Sequence, residues 1–402
     1  MRHFKNVCVV LVLTLSFISV FAQKPSLSKN AYISLLTAEP LSSNNIISMF
    51  GHTALRVSDP ELNLDFVFNY GIFDVTISEP IAYSKLFLGN LQYEMWVSSF
   101  EEHYDMVVME DRTVVEHVFN FSQKEKDQVF HKLIEKAQSE NINYYFDFFD
   151  ENCTTFPRDI LIKELDFNIE VPDSIAQYSY REVAKAFTST EHPWIQLLID
   201  FLAGKHLSGK ADPVRALFIP RDLETAFKKA YIVNDDQVKK PLLLDGRIMY
   251  EATTPYVEKN CLITPFLISS ILLLFLIVIV YFEIKQRKYW FYVDLILFGI
   301  TGFLGVILFI YTYYFDLWYA VDDFKVLWIH PLHLLAVLLM VIPKLNYLLK
   351  YYHLLNVILL CVYLSGIFYI NQDYNIAFFP LVAGMLIRSL AYLLPNFKKK
   401  NQ

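Results

Sequence analysis

The chain has 402 residues, of which 54% are hydrophobic and 16% aromatic, with a formal net charge of −7. That is too apolar for one soluble domain of this length and implies a membrane protein with a folded part outside the bilayer. The acidic balance excludes nucleic acid as a partner, and excludes adhesion to anionic headgroups by charge alone.

Residues 1–22 start with the basic "MRHFK" and run through an apolar stretch to "VFA". That is the pattern of a signal peptide cut after Ala22, so residues 23–261 are expected to be exported. "AYISLLTA" (31–38) reads as a buried strand and "HTALRVSD" (52–59) as an alternating one. "LDFVFNYG" (64–71), "YEMWVSS" and "TVVEHVFNF" are further strand candidates, with turn chemistry in "SDPELN". Ser122 and Glu125 form a capping box that opens a helix running to about Glu140. After the aromatic "YYFDFF" comes "DENCTTFPRDIL", where Pro157 restricts the helix start to the neighbourhood of Cys153. Residues 173–231 look mostly helical. The expected exported fold is α+β, with a small antiparallel sheet and a thiol at a helix start.

From residue 262 the character changes. Apolar runs at about 262–282, 290–315, 326–343, 351–370 and 376–394 are each near the ~20 residues that span a bilayer, giving an all-α domain of five spans over 262–402. "EIKQRKY", "KLNYLLK" and the tail "NFKKKNQ" are basic; the loops holding Asp316, Asp322, Asp323 and Asp373 are acidic. The positive-inside rule puts the basic side in the cytoplasm and residues 23–261 outside, in agreement with the leader. Residues 262–402 hold ten Lys/Arg and six Asp/Glu, which leaves −11 for residues 1–261, and −13 once Arg2 and Lys5 depart with the leader.

Cys153 has no second cysteine within its own domain, since Cys8 lies in the leader, Cys361 in a span and Cys261 at the membrane edge. A lone exported thiol is a candidate nucleophile rather than half of a disulfide. A helix start lowers a thiol's pKa, and its free N–H groups suit an oxyanion. Among the exported histidines, His131 reads as a solvated helix residue, and His103 and His192 as surface or helix-start residues. His52 stands apart because Gly51 lets another chain approach closely and Ala54 on the same strand face is small. If Val57 and Leu64 close the hairpin symmetrically, position 52 pairs with position 69. Asn69 could then orient the imidazole, with Tyr70 and Asp65 as rivals. Tyr144, Tyr145, Phe146, Phe148 and Phe149 could line an acyl groove or simply be core. His330 and His333 stand one turn apart near the outer end of a span; headgroup contact or interhelical hydrogen bonding fits them better than metal.

The order of histidine on a strand, polar residue on the next strand and "NC" opening a helix resembles circularly permuted NlpC/papain-like thiol enzymes. More closely, "FGHTALRV", "FNYGIFD", "EDRTVVEHVFNFS" and "YYFDFFDENCTTFPRDIL" resemble the Lnb-type lipoprotein N-acyltransferase family. That family joins an N-terminal periplasmic domain to a C-terminal multi-span domain. The resemblance covers about residues 30–165 well and implies Cys153 and His52 as catalytic residues. It also implies an inner-membrane enzyme that acylates the α-amine of a lipidated N-terminal cysteine on lipoproteins, taking the acyl group from a phospholipid. Tyr70, Tyr145, Arg112, Arg158 and His330 are the candidate substrate contacts, although Arg112 and Arg158 have Asp111 and Asp159 close by in the sequence. No metal or cofactor is expected. The rival readings are a membrane-tethered cysteine peptidase or amidase acting on cell-wall peptides, and a non-catalytic lipoprotein-binding protein.

Overall fold

The computed structural model describes residues 26–41, 49–73, 77–138, 143–165, 167, 169–170, 178–233, 238–257, 259–314, 318–321, 323–366, 369 and 374–394. The expected leader at 1–22 and the basic tail at Lys398–Lys400 lie outside these. The chain forms two compact units: residues 1–172 with 217–256, and residues 173–216 with 257–402. The second piece of the latter begins within a few residues of the expected boundary at 261. Residues 173–216, however, cluster with the apolar helices.

The described residues of the first unit form ten strands: β1 (Tyr32–Ala38), β2 (His52–Asp59), β3 (Leu64–Phe73), β4 (Gln92–Ser99), β5 (Val114–Val118), β6 (Asn143–Tyr145), β7 (Ile169–Glu170), β8 (Tyr231–Val233), β9 (Lys239–Pro241) and β10 (Arg247–Tyr250). Seven of them form one antiparallel sheet in the order β10-β5-β1-β2-β3-β4-β6, and β7-β8-β9 form a second. The sheet is therefore larger than expected. The β6 and β10 edges come from segments too short for their alternation to be read. The helices of this unit are α1 (Glu79–Phe87), α2 (Phe100–Glu110), α3 (Gln123–Gln138) and α4 (Thr155–Asp159), the last continuing as a π-helical stretch over Ile160–Glu164. Ser122 and Glu125 cap α3 reciprocally: the Ser122 N–H donates to Glu125 Oε2 and the Glu125 N–H to Ser122 Oγ. Leu36, Ala54, Val67, Val107 and Val114 pack a core between the sheet and α2.

Numbering continues through α5 (Tyr180–Thr188) and α6 (Pro193–Leu202) of the second unit, then α7 (Pro220–Lys229), which belongs to the first and packs on β1. The second unit ends with α8 (Pro265–Gln286), α9 (Phe291–Tyr314), α10 (Leu332–Val341), α11 (Leu349–Gly366) and α12 (Phe378–Leu393). Including the short turns before α10 and α11, four segments among the described residues are long and apolar enough to cross a membrane: 265–286, 291–314, 324–341 and 343–366. Helix α12, at 16 residues, is shorter and more enclosed. Outward residues such as Ile271, Leu274 and Phe303 are more than half exposed, which only a lipid surround tolerates over so many positions.

Buried among these helices, Arg388 joins both Glu283, through Nη1 and Nη2, and Asp294, through Nε at 2.6 Å. Tyr289 also donates to Asp294. All three charged side chains are fully buried. Of the two alternatives open for it, His333 makes an interhelical bond, to the Tyr352 hydroxyl of α11. Among the described residues no group of side chains could hold a metal ion.

Candidate active site

Gly51 ends the approach to β2 with φ +88°, and a Cβ there would lie 2.7 Å from the Ala38 carbonyl oxygen. Only glycine admits this close passage, and it delivers His52 to the first position of the strand. On the neighbouring strand Gly71 takes φ +103° at an irregularity in the β3–β4 pairing between Tyr70 and Ile72. A Cβ on Gly71 would stand 3.6 Å from Cys153 Cβ and 3.8 Å from His52 Cε1. The thiol and the imidazole thus converge over a residue with no side chain. Sequence reading passed over Gly71, although the glycine that ends "FNYG" was its signal.

The hairpin register differs from the symmetric closure expected. Asn69 pairs with Ala54, and Val57 with Phe66, two residues from the anticipated register. A two-residue offset keeps every side chain on its face, so Asn69 still reaches His52, with Oδ1 3.1 Å from Nε2. The rivals are occupied elsewhere: Asp65 takes both Nε and Nη2 of Arg56 at 2.7 Å, and the Tyr70 ring stacks on Phe156.

Asn69 has a second partner. Its Nδ2 lies 3.2 Å from Nδ1 of His103, which is 3% exposed rather than a surface residue. An amide nitrogen only donates, so His103 Nδ1 must be unprotonated, and burial holds His103 down to about 4, with the charge of His52 adding to the effect. Asn69 Oδ1, on the His52 side, accepts from Nε2 and so places the imidazole proton there. His52 Nδ1 is left as the basic nitrogen.

Asn152 shapes the segment around the thiol. Its Oδ1 accepts the N–H groups of Thr154 (2.7 Å) and Thr155 (3.0 Å), and its Nδ2 donates to the carbonyls of Phe148 and Phe218. Two of the helix-start donors expected to serve an oxyanion are thus engaged in capping. Burial raises the Cys153 thiol, but the neighbouring His52, the Thr53 N–H and the Thr154 hydroxyl outweigh it and bring it down to about 7. His52 moves up: burial and Arg112 oppose its charge, while the charge and hydrogen bond of Cys153 and the bond to Asn69 favour it.

A cavity of about 140 Å³ beside the imidazole is lined by His52, Gly71, His103, Glu110 and Arg112 among others. Arg112 is buried, donates from Nε to the Glu39 carbonyl and pairs with Glu110; Asp111 is held instead by Tyr250, Thr253 and Thr254. Arg158 is fully buried against Asp159 and the Leu217 carbonyl. Tyr144 rather than Tyr145 joins Tyr70, Tyr93 and Phe146 in an aromatic cluster; Tyr145 is 64% exposed on the alternate face of β6. His330 lies in the second unit, buried and stacked on His333 at 4.0 Å. Cys153, His52, Asn69, Tyr70 and Arg112 are thus brought together, with His103, Gly71, Asn152 and Tyr144 added.

Two family models match the chain: the Lnb N-terminal periplasmic domain over residues 23–185 and the Lnb transmembrane domain over residues 257–400. Searches of curated proteins and of solved structures each return no match.

Proposed function

Because the chain belongs to the Lnb family, with a periplasmic domain followed by a transmembrane one, we propose that it is a lipoprotein N-acyltransferase of the inner membrane with Cys153 as nucleophile. The observation that carries the reading is the convergence of Cys153 and His52 over Gly71, with the other imidazole nitrogen tied to Asn69; the pairing lowers the thiol. Such a pair is a thiolate source near neutral pH.

In the first half-reaction the Cys153 thiol gives its proton to His52 Nδ1, and the thiolate attacks an ester carbonyl of a phospholipid. The C–O bond breaks, the leaving alkoxide takes the proton from His52, and lysophospholipid departs from a thioester. In the second, the neutral α-amine of a diacylated N-terminal cysteine attacks the thioester. His52 accepts the proton the nitrogen loses and returns it to the sulfur. An ester and an amine become an alcohol and an amide, with no cofactor consumed. Asn69 holds the tautomer throughout, and His103 holds Asn69. Arg112 places a positive charge within electrostatic reach of both Cys153 and His52.

The test uses the full-length protein in phospholipid vesicles without acceptor. A fatty acyl group should accumulate on Cys153, be released by neutral hydroxylamine, and decay when a diacylated lipopeptide with a free α-amine is added. Mass spectrometry of that lipopeptide should show one added acyl chain. A peptide fragment on Cys153 in place of a fatty acyl group would establish the peptidase instead, and an unreactive thiol would end both readings.

A further inference from the structure

Helix α6 buries its polar side chains more deeply than its apolar ones. Apart from Pro193, its fully buried side chains are Gln196 and Asp200. Asp200 accepts from Arg181 Nη1 at 2.5 Å, Gln196 Nε2 at 2.9 Å and Asn375 Nδ2 at 2.8 Å, while Gln196 accepts from the Thr188 hydroxyl. The apolar positions are less enclosed: Trp194 is 45% exposed, and Leu197, Leu198 and Phe201 are half-buried. At a water-facing surface a helix turns its apolar stripe inward. The reverse arrangement is stable where hydrocarbon lies outside. Ten residues rise only ~15 Å, half of the ~30 Å apolar thickness, which is too short to cross a bilayer and matches the depth of one leaflet.

Those apolar side chains form one wall of a cavity of about 780 Å³ within the second unit. Helix α8 packs on α12, and α9 on α10. The cleft is lined by Ile268 and Leu272 of α8, Ile300 and Thr301 of α9, and Phe378 and Leu381 of α12. No Asp, Glu, Lys, Arg or His lines it. Along α9 it runs from Tyr292 to Leu304, a length of ~18 Å at the helical rise, close to the depth of one leaflet. That length is the one an alkyl chain takes in a single leaflet, and a headgroup or an ion would find no charge to meet. An alkyl chain fits both tests.

We propose that this cleft holds a fatty acyl chain of a glycerolipid, with α6 as its wall in one leaflet. The assignment rests on the acyl-transfer reading for its purpose: a chain seated here is a substrate chain.

The experiment uses full-length protein in phospholipid vesicles doped with a phospholipid bearing a diazirine at the end of one acyl chain. Labelling should fall on α6, α8 and α9 lining residues, saturate, and be competed by unlabelled lipid. It should persist in Cys153→Ala. Leu272→Trp and Thr301→Trp, which fill the cleft, should lower both labelling and long-chain acylation of Cys153 by roughly tenfold or more, the usual reach of overpacking on affinity. Acylation by a water-soluble acetyl thioester should stay within about twofold, which also shows that the variants fold. Labelling spread evenly over outward residues such as Ile271 and Leu274, or filled variants that keep long-chain acylation, would overturn the proposal. Specific labelling with no acyl group ever found on Cys153 would uphold the ligand and overturn the acyl-transfer reading.

Discussion

His103, Asn69 and His52 form a row: the Asn69 amide donates to Nδ1 of a neutral His103 and accepts from Nε2 of His52, which leaves the base one free nitrogen. Cys153→Ala and His52→Ala should each lower acyl transfer by about a thousandfold or more, with no further loss in the double variant, because neither residue works without the other. Asn69→Ala should cost roughly a hundredfold or less, since it misplaces a group rather than removing one. The pH dependence follows from the signs. The thiol is lowered to about 7 by His52, so alkylation of Cys153 by iodoacetamide should rise through about pH 7. In His52→Ala the midpoint should move toward the ordinary ~8.5 of a free thiol, or higher because burial remains. A midpoint unchanged in His52→Ala would remove the imidazole as the cause. Cys153 and His52 were legible in the sequence because a lone exported thiol and a glycine-flanked strand histidine are local patterns. His103 was not: a histidine in "FEEHYD" owes its burial to the way α2 packs on the sheet.

At the scale of elements, the strands at 32–38, 52–59, 64–73 and 92–99 and the α3 capping box were readable from alternation and turn chemistry, because each lies in contiguous sequence. Register was not, since it depends on turn geometry, yet face survived the two-residue difference. Edge strands β6 and β10 are three and four residues long, too short to show a period. The two glycines flanking the site make separable predictions. Gly51→Ala meets both a positive φ and the Ala38 carbonyl at 2.7 Å, so it should lower stability by about 2–3 kcal/mol, read as a fall in Tm. Gly71→Ala finds ordinary contact distances and pays for the backbone alone, about 1–2 kcal/mol. Its larger effect should be on turnover, because the new methyl lies between thiol and imidazole. Equal loss of stability in both would show that the carbonyl contact has no weight.

At the scale of the whole molecule, hydropathy gave the apolar helices to within a few residues, since a bilayer imposes length and polarity directly. Their mutual arrangement has no such signal, and the Arg388–Glu283–Asp294 cluster joins residues from three helices. Arg388→Leu leaves two carboxylates buried without a cation and should destabilise by roughly 3–5 kcal/mol, measured as thermal aggregation in detergent. Replacing all three with apolar residues of similar size should cost far less. A mild Arg388→Leu effect would mean that water reaches the cluster.

The chain is also threaded through its two units in alternation, and this bears on how it is made. Strand β10 joins β5 across some 130 residues of sequence (Arg247 to Glu116), so the sheet edge at β5 waits, unpaired, for most of the exported chain to emerge. The segment 173–216 waits longer still. Asp200 needs Asn375, the Ala203 carbonyl needs the Lys325 ammonium, and the Trp194 indole needs Ile263, all of which are synthesised afterwards. A fragment ended near residue 256 would carry α5 and α6 with these partners missing and α6 presenting its hydrocarbon face to water. Such a fragment should aggregate on secretion. One in which residues 173–216 are replaced by a short flexible linker should remain soluble and keep its thiol reactive.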